Sequence, residues 1–213
     1  MKKYLLFILI FFSSLDLIGQ KRIFEPHLKI GGSYGFTFSR VDFQPYKKQE
    51  FINGQTLNFE IFYSSQKYVG IKLGYGEVKK GWEIINDSLG IYTRELKYYN
   101  IPFTTHIEVW QPRKFNLIID IGPYIAFLKN EKELIESINF TEDFVGKNVD
   151  NKFEFGFIGS IGVQYNFKIH SFFISINYYN SLTNIFTPTE IFQYFSSRNQ
   201  TLGVNFGYLL KLF

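Results

Sequence analysis

The sequence predicts an all-β fold: an eight-stranded antiparallel up-and-down transmembrane β-barrel with short periplasmic turns and longer extracellular loops. Three observations predict it. Eight segments alternate apolar and polar residues, short and long links alternate between them, and glycine collects on the polar face. An alternation with period two is typical of a strand whose faces differ, whereas a helix repeats about every 3.6 residues.

The segment Lys152–Phe167 shows the alternation most clearly. Its odd positions, from Phe153 to Phe167, are apolar apart from Gly159, and its even positions are mostly polar or glycine. In the second segment Phe62 breaks the pattern by standing on the polar face. The eight predicted strands are Leu28–Ser39, Leu57–Ser64, Val69–Gly76, Tyr99–Val109, Phe115–Ile125, Lys152–Phe167, Ser171–Tyr178 and Thr201–Leu210.

The links between the predicted strands alternate in length. Short links are Ser65–Lys67, Gln111–Lys114 and Lys168–His170, and long links are Arg40–Gln55, Val78–Arg94, Asn130–Asn151 and Asn180–Arg198. Short turns at one rim and long loops at the other are expected of an outer-membrane barrel with both termini in the periplasm.

The position of glycine separates a membrane barrel from a soluble, lipocalin-like one. The interior of an eight-stranded barrel has room only for packed side chains, so a polar face rich in glycine fits inside, and the bulky apolar face then meets lipid. Only Gly32 and Gly159 lie on the apolar face. The polar face carries Gly31, Gly35, Gly70, Gly74, Gly76, Gly122, Gly156, Gly162, Gly203 and Gly207.

Charged residues on the polar faces balance one another. Buried charges are tolerated when they are paired, so we expect a neutral network of salt bridges that fills the lumen rather than a charge-selective pore. The predicted lumen charge network is Lys29, Glu60, Lys72, Glu108, Asp120, Lys152, Glu154 and Lys211.

The N-terminal residues 1–19 are predicted to be a cleaved signal peptide, and residues 20–213 the barrel domain. Lys2 and Lys3 precede the short apolar run Tyr4–Phe12, and a more polar stretch that ends in the small residue Gly19 follows. This order is typical of a secretory signal, and the run is too short for a spanning helix. The chain has no cysteine, which excludes disulfides and thiolate chemistry, and its net charge of +4 argues against nucleic acid as a partner.

Aromatic residues near the strand ends predict two interfacial girdles. Near the short turns these are Tyr63, Trp110, Phe115, Tyr165 and Phe172, and near the long loops Phe38, Tyr75, Tyr99, Phe127 and Phe153. The terminal Phe213 is similar to the aromatic signal that the barrel-assembly machinery reads. It falls on the polar phase of its strand, which implies either a bulge at that end or an imperfect signal.

The residues do not predict an enzyme, a metal site or a cofactor. His27, His106 and His170 all map to the periplasmic half, away from the loop rim where a lipid-modifying barrel enzyme needs its histidine. The acidic third loop is interpreted as solvated, with one or two helical turns over Asn130–Ile138 as an option. The apolar fourth loop, Thr187–Phe195, packs over the barrel mouth or contacts a partner.

Short motifs in a fixed order resemble the PorT-like outer-membrane β-barrel proteins of Bacteroidetes-type bacteria. They are Phe38–Pro45 after strand one, Gly81-Trp82 after strand three, Tyr99–Pro102 and Thr105-His106 in strand four, Gly122–Tyr124 in strand five and Asn184–Pro188 in loop four. The resemblance implies an eight-stranded outer-membrane barrel. It also implies that Pro102 is tolerated within a strand, at a bulge, and that a role in type IX secretion is an option.

The leading hypothesis is a non-enzymatic outer-membrane barrel with a plugged lumen and a structural or complex-partner role in the envelope. Its expected partners are outer-membrane lipid, the barrel-assembly machinery during biogenesis, and other envelope or secretion proteins. The alternatives are an accessory component of type IX secretion, a soluble lipocalin-like carrier of an apolar ligand, and a lipid-modifying enzyme.

Overall fold

The computed structural model describes residues 25–86, 90–109, 114–136, 144–188 and 194–213. The predicted signal peptide therefore lies outside the described residues. The described part of the chain has no helix long and apolar enough to cross a membrane. Its strands are β1 His27–Gln44, β2 Ile52–Ser64, β3 Val69–Asn86, β4 Gly90–Val109, β5 Phe115–Ile135, β6 Phe153–Phe167, β7 His170–Asn184 and β8 Ser196–Lys211.

The eight strands form one closed antiparallel barrel in chain order. Each strand pairs with the next, and β8 pairs back onto β1 over sixteen residues from Lys29↔Lys211 to Gln44↔Ser196. The predicted strand number and topology are thus confirmed. We call the end of the barrel that carries His27 and Lys211 the lower end, and the opposite end the upper end.

The apolar face points outward, as the position of the glycines predicts. Ile71, Ile121 and Ile174 are 49%, 57% and 52% exposed, so they form part of a continuous apolar outer wall. The exception Phe62 points inward. Its ring fits there because residue 70 is a glycine, since a Cβ at Gly70 would lie 2.5 Å from the Phe62 ring. Gly159, on the apolar face, has nothing within 4 Å of an added Cβ. This arrangement is the reverse of a soluble carrier with an apolar pocket, and that alternative is set aside.

Aromatic side chains border the apolar wall at two levels. Phe115 packs on Tyr165 at the lower level, and Phe127 packs on Phe153 at the upper level, with ring centroids 5.0 and 5.4 Å apart. At about 3.3 Å per residue and a tilt of about 40°, Phe115 and Phe127 are roughly 30 Å apart along the barrel axis, which suits the apolar layer of a membrane. The predicted girdle residue Trp110 lies outside the described residues.

The strands continue far above the upper aromatic level, and the predicted long links are therefore wrong in extent. Val78–Arg94 is mostly strand, because β3 runs to Asn86 and β4 begins at Gly90. The helical option over Asn130–Ile138 is also wrong for its described residues, since β5 runs to Ile135. The other long links shorten likewise, as β1 reaches Gln44, β2 starts at Ile52, β7 reaches Asn184 and β8 starts at Ser196.

The physical reason is that the alternation inverts its polarity where lipid gives way to water. In β3 the inward side chains change from Gly74 and Gly76 to the buried Val78, Trp82 and Ile84. The outward side chains change from apolar to charged at Glu77 and Lys79. A strand surrounded by water buries its apolar side inside, so the same strand changes pattern without ending.

Apolar side chains close the upper end of the barrel. We call this cluster the mouth core; at its centre Trp82 packs edge-on against Phe43, Phe144 and Phe186 at centroid distances of 5.5, 5.9 and 6.1 Å. Its buried members are Val41, Phe43, Val78, Trp82, Ile84, Tyr92, Leu96, Tyr98, Tyr124, Ala126, Phe144, Val149, Ile158, Tyr179, Ile185, Phe186 and Tyr194.

Pro102 lies within β4 without a bulge, contrary to the expectation. The pairing of β3 with β4 keeps one register on both sides, at Leu73↔Phe103 and Gly76↔Asn100, and only the pairs between them are missing. Gly74 makes room for the proline, since a Cβ there would lie 2.7 Å from Pro102 Cγ. The register shift of this strand occurs instead between Lys97 and Tyr98, on its β5 side.

Phe213 lies beyond the last residue of β8 and is 65% exposed. Backbone hydrogen bonds still join the end of the chain to β1, with Leu28 N donating to Phe213 O at 3.1 Å and Leu212 N donating to Leu28 O at 2.8 Å. Leu28 thus makes its two backbone hydrogen bonds to two successive residues, Leu212 and Phe213, which is the pattern of a β-bulge at this end of the chain.

Candidate functional site

Titratable side chains meet in the lower half of the lumen, and we call them the lower network: Lys29, Glu60, Lys72, His106, Glu108 and Asp120. Its centre is Lys72, whose ammonium contacts Asp120 and lies 3.7 Å from Glu60 Oε2. His106 Nδ1 lies 2.6 Å from Asp120 Oδ1, and its Nε2 lies 3.7 Å from Glu108 Oε1. Lys29 Nζ completes the chain at 3.8 Å from Glu108.

The strand register explains why these side chains meet. His106 and Asp120 stand directly opposite each other on β4 and β5, so both point into the lumen at one level. Lys72 reaches Asp120 across β4, because all three strands turn the same alternate positions inward. Two lysines thus face three carboxylates, and His106 contacts two of the three. Ser33 adds a hydrogen bond of 2.6 Å to Glu60.

A second ion pair is buried higher in the lumen. Lys80 Nζ lies 2.5 Å from Glu154 Oε1, and the Lys80 side chain has no exposed surface. Tyr124 and Asn199 each donate a hydrogen bond of 2.6 Å to the Glu154 carboxylate. The Lys80 ammonium also lies 4.8 Å from the Tyr124 ring centroid. Complete pairing of this kind makes a buried charge tolerable.

A third cluster, the rim cluster, joins the upper parts of β4 and β5 to residues 144–151. Arg94, 2% exposed, lies 2.9 Å from Glu131 and 3.1 Å from Glu133, and it donates to Lys147 O at 2.8 Å. The same carboxylates accept from Gly146 N and Val149 N at 3.0 and 3.2 Å. The acidic third loop is therefore not simply solvated, because two of its glutamates lie on β5 and fix the next segment. Glu142 and Asp143 lie outside the described residues.

Tyr92 belongs to both the rim cluster and the mouth core. Its hydroxyl donates to Glu133 Oε1 at 2.8 Å. Burial, together with this hydrogen bond, raises the pKa of Tyr92 above its usual range. The hydroxyl therefore stays a donor at physiological pH and supports the glutamate that holds Arg94.

The structure brings together most of the predicted charge network but not all of it. Lys29, Glu60, Lys72, Glu108 and Asp120 lie in the lower network, and Glu154 lies in the upper ion pair. Two lysines differ. Lys152 precedes β6 and is exposed, so its assignment to the lumen is wrong. Lys211 stands opposite Lys29 at the lower end and is partly exposed.

The predicted charge network did not include Lys80, His106 and Arg94. Lys80 and Arg94 lie in segments that were predicted to be loops. They continue the inward phase of Gly76 and Asn100, so extending the alternation past the aromatic level would have found them. His106 carried the same signal, since it shares the inward phase of Glu108 on β4.

The histidines do not gather into a site. His106 lies in the lower network, while His27 and His170 begin β1 and β7 at the lower end. His170 Nδ1 lies 2.7 Å from the Tyr208 hydroxyl. Within the ranges that the structure describes, no group of three or more metal-binding side chains is arranged to hold a metal ion.

One part of the fourth loop packs over the barrel mouth, and another part is exposed. Phe186 and Tyr194 are buried in the mouth core. Phe195 is 76% exposed, and Tyr46 in the link between β1 and β2 is 79% exposed. Ile191 and Phe192 lie outside the described residues. The upper rim thus presents large apolar side chains above the level of the membrane.

Comparison with known proteins agrees with this architecture. Residues 20–187 match the family described as outer membrane protein beta-barrel domain. The curated proteins gave no match.

Solved structures of other barrels resemble the chain. OprG from Pseudomonas aeruginosa superposes with a TM-score of 0.53 at 11% identity, covering 87% of this chain and 95% of its own. Ail, the attachment invasion locus protein of Yersinia pestis, superposes with a TM-score of 0.45 at 16% identity. The match covers 85% of this chain and 98% of Ail. The outer membrane enzyme PagL superposes with a TM-score of 0.36 at 11% identity. The match covers 84% of this chain and 97% of PagL. At these identities the likeness to OprG shows the fold alone.

Proposed function

Since the chain belongs to the outer membrane protein beta-barrel domain family and resides in the outer membrane, we propose that it is a non-enzymatic envelope protein that acts through its upper rim. Its lumen is filled rather than open, and its role is that of a structural element or a partner subunit in a larger surface complex.

The observation that carries this proposal is the upper end of the barrel, which buried side chains close and which strands extend beyond the lipid. The mouth core and the Lys80–Glu154 pair fill the lumen, which argues against transport through it. The strands extend beyond the lipid and carry the rim into water, and exposed apolar side chains such as Phe195 and Tyr46 then favour contact with another protein.

In-cell photo-crosslinking tests the proposal. A photoreactive amino acid at position 46 or 195 is expected to give a discrete adduct with another envelope protein. The matched control is position 172, where Phe172 is 51% exposed on the lipid-facing wall and is expected to give none. Adducts at position 172 as abundant as those at the rim, or none at either rim position, would contradict the proposal.

A finer version places the protein among the PorT-like barrels, as an accessory component of type IX secretion. Only the order of its short motifs supports this version. A strain that lacks the gene is expected to retain type IX cargo inside the cell, and normal release of cargo would remove this role.

The non-enzymatic part of the proposal has its own test. The upper rim of the described chain brings no histidine near a serine or carboxylate, since all three histidines lie at or near the lower end. Lipid A from a deletion strain is therefore expected to match wild type in mass. A change in its acyl chains or phosphates would show an activity and overturn this part.

A further inference from the structure

The wall of the barrel has an irregular seam between β2 and β3, just above the upper aromatic level. Ladder pairing of these strands stops at Thr56↔Val78 and resumes only as a single bridge, Glu50↔Glu83. In the gap, Thr37 of β1 reaches past Gly54 and donates a hydrogen bond of 2.9 Å to Lys79 O. Gly54 is required here, because a Cβ would lie 2.5 Å from both of these oxygens.

A groove of about 610 Å³ opens at this seam. Its lower lining consists of Tyr34, Phe36 and Leu57, which are 42%, 47% and 64% exposed and belong to the apolar outer wall. Its upper lining is polar and includes Asn53, Lys79 and Lys97. An amphiphile with a hydrocarbon tail and a polar head matches this division.

The groove stands at the level where lipid headgroups lie. Its charged residues Glu77 and Lys97 are each two positions above the stacked pair Tyr75 and Tyr99 of the upper girdle. Unpaired backbone groups are not tolerated in hydrocarbon, which also places the seam in the polar interfacial layer. A lipid of the outer leaflet would therefore have its tail beside the apolar lining and its head beside the lysines.

The charges at the upper lining favour an anionic head. Glu95 pairs with Lys79 at 2.6 Å, and Glu77 pairs with Lys129. Lys97 stands directly opposite Lys79 on the neighbouring strand, and it makes no ion pair within the described ranges. Lys97 therefore adds a positive charge to the upper lining that Glu95 and Glu77 do not neutralise, because these two carboxylates already pair with Lys79 and Lys129.

We propose that the seam groove between β2 and β3 is a binding site for one anionic lipid of the outer leaflet. The headgroup phosphate binds Lys97, and one acyl chain lies along Tyr34, Phe36 and Leu57. This site is on the outer wall and is independent of any protein partner at the rim.

Native mass spectrometry of the full-length mature protein in detergent tests this site. The probes are dioleoylphosphatidylglycerol, which is anionic, and dioleoylphosphatidylcholine, which has no net charge. The first phosphatidylglycerol is expected to bind about five-fold more tightly than the first phosphatidylcholine, as one lysine near a membrane surface provides. Equal affinity of the wild-type protein for the two lipids would overturn the proposal.

Variants locate the binding. Lys97→Gln is expected to abolish the preference for phosphatidylglycerol, whereas Lys152→Gln, which removes the same charge from the same end of the barrel, keeps it. Leu57→Trp fills the apolar part of the groove and is expected to weaken the binding of both lipids. Each variant is checked for folding by its change of gel mobility on boiling. Loss of preference in Lys152→Gln as large as in Lys97→Gln, or unchanged binding in folded Leu57→Trp, would also overturn it.

Discussion

A single side chain, Lys72, shows how this lumen tolerates charge. Its ammonium is shared between Asp120 and Glu60, and Ser33 donates a further hydrogen bond to Glu60. A buried pair of this kind adds little net stability over an apolar replacement of both partners. Removing one partner alone strands the other charge and is strongly unfavourable.

Lys72→Met is therefore expected to lower the free energy of unfolding by about 3–5 kcal/mol, since it removes the lysine that the buried carboxylates of Glu60 and Asp120 share. Urea unfolding in lipid vesicles measures the change. Lys152→Met is the control, because Lys152 is exposed, and its effect is expected to stay within about 0.5 kcal/mol. Similar losses in the two variants would show that Lys72 is not paired in the folded barrel.

Glycine provides a second test at the scale of single residues. A Cβ at Gly207 would lie 2.0 Å from the Phe173 ring, whereas one at Gly159 meets nothing within 4 Å. Gly207→Ala is expected to destabilise the barrel by about 1–3 kcal/mol through overpacking. Gly159→Ala is expected to be nearly neutral in the same urea titration. The reverse order would mean that the inward and outward faces are assigned wrongly.

At the scale of elements, the strands continue into water by inverting their polarity. In β4 the inward phase changes from Asn100 and Thr104 to Tyr92, Leu96 and Tyr98. The rim cluster then fastens residues 144–151 against β4 and β5 through Arg94 and two glutamates. The upper end is thus a small water-exposed β-structure with its own core, built on the membrane barrel.

Arg94→Gln is expected to loosen the segment 144–151, because Glu131 and Glu133 lose the cation that they share. Limited proteolysis of the protein in vesicles measures this, and we expect cleavage in this segment at least about ten-fold faster than in wild type, which corresponds to about 1.4 kcal/mol of local stability. Arg40→Gln is the control, since Arg40 is exposed on the outer wall. Unchanged cleavage of Arg94→Gln would show that other contacts hold the segment.

At the scale of the whole molecule, three groups of contacts fill the barrel. The lower network occupies the lower half, and the mouth core surrounds the Lys80–Glu154 pair and continues above it, since the Lys80 ammonium lies over the rings of Tyr98, Tyr124 and Tyr179. A small internal cavity of about 30 Å³ lies in the lumen between Lys72 and Tyr179. A cavity of this size holds a water molecule or two and offers no path for a solute.

The protein is therefore expected to give no steady current in planar lipid bilayers. The triple variant Trp82→Ala, Phe144→Ala, Phe186→Ala removes the centre of the mouth core but leaves the Lys80–Glu154 pair below it. It too is expected to stay closed. Stepwise channel openings in wild type would contradict a filled lumen, and openings in the triple variant alone would assign the closure to the mouth core.

The sequence by itself determined the number of strands, the face that each turns to lipid and the membrane that holds the barrel. These follow from a local pattern with period two and from the small residues that a narrow lumen requires. Most of the charged residues in the lumen were predictable for the same reason, since the inward phase can be read along each strand. The assignment of Lys152 to the lumen was wrong because this residue stands one position before its strand begins.

Only the tertiary structure decided which charges pair and how the mouth closes. Lys80 and Glu154 are 74 residues apart in the chain and lie on β3 and β6, which are not neighbours in the sheet. Their contact depends on the curvature of the closed barrel and on the register of every strand between them. The strand extensions were missed because the pattern inverts where lipid ends, and a single strand does not show where that level lies.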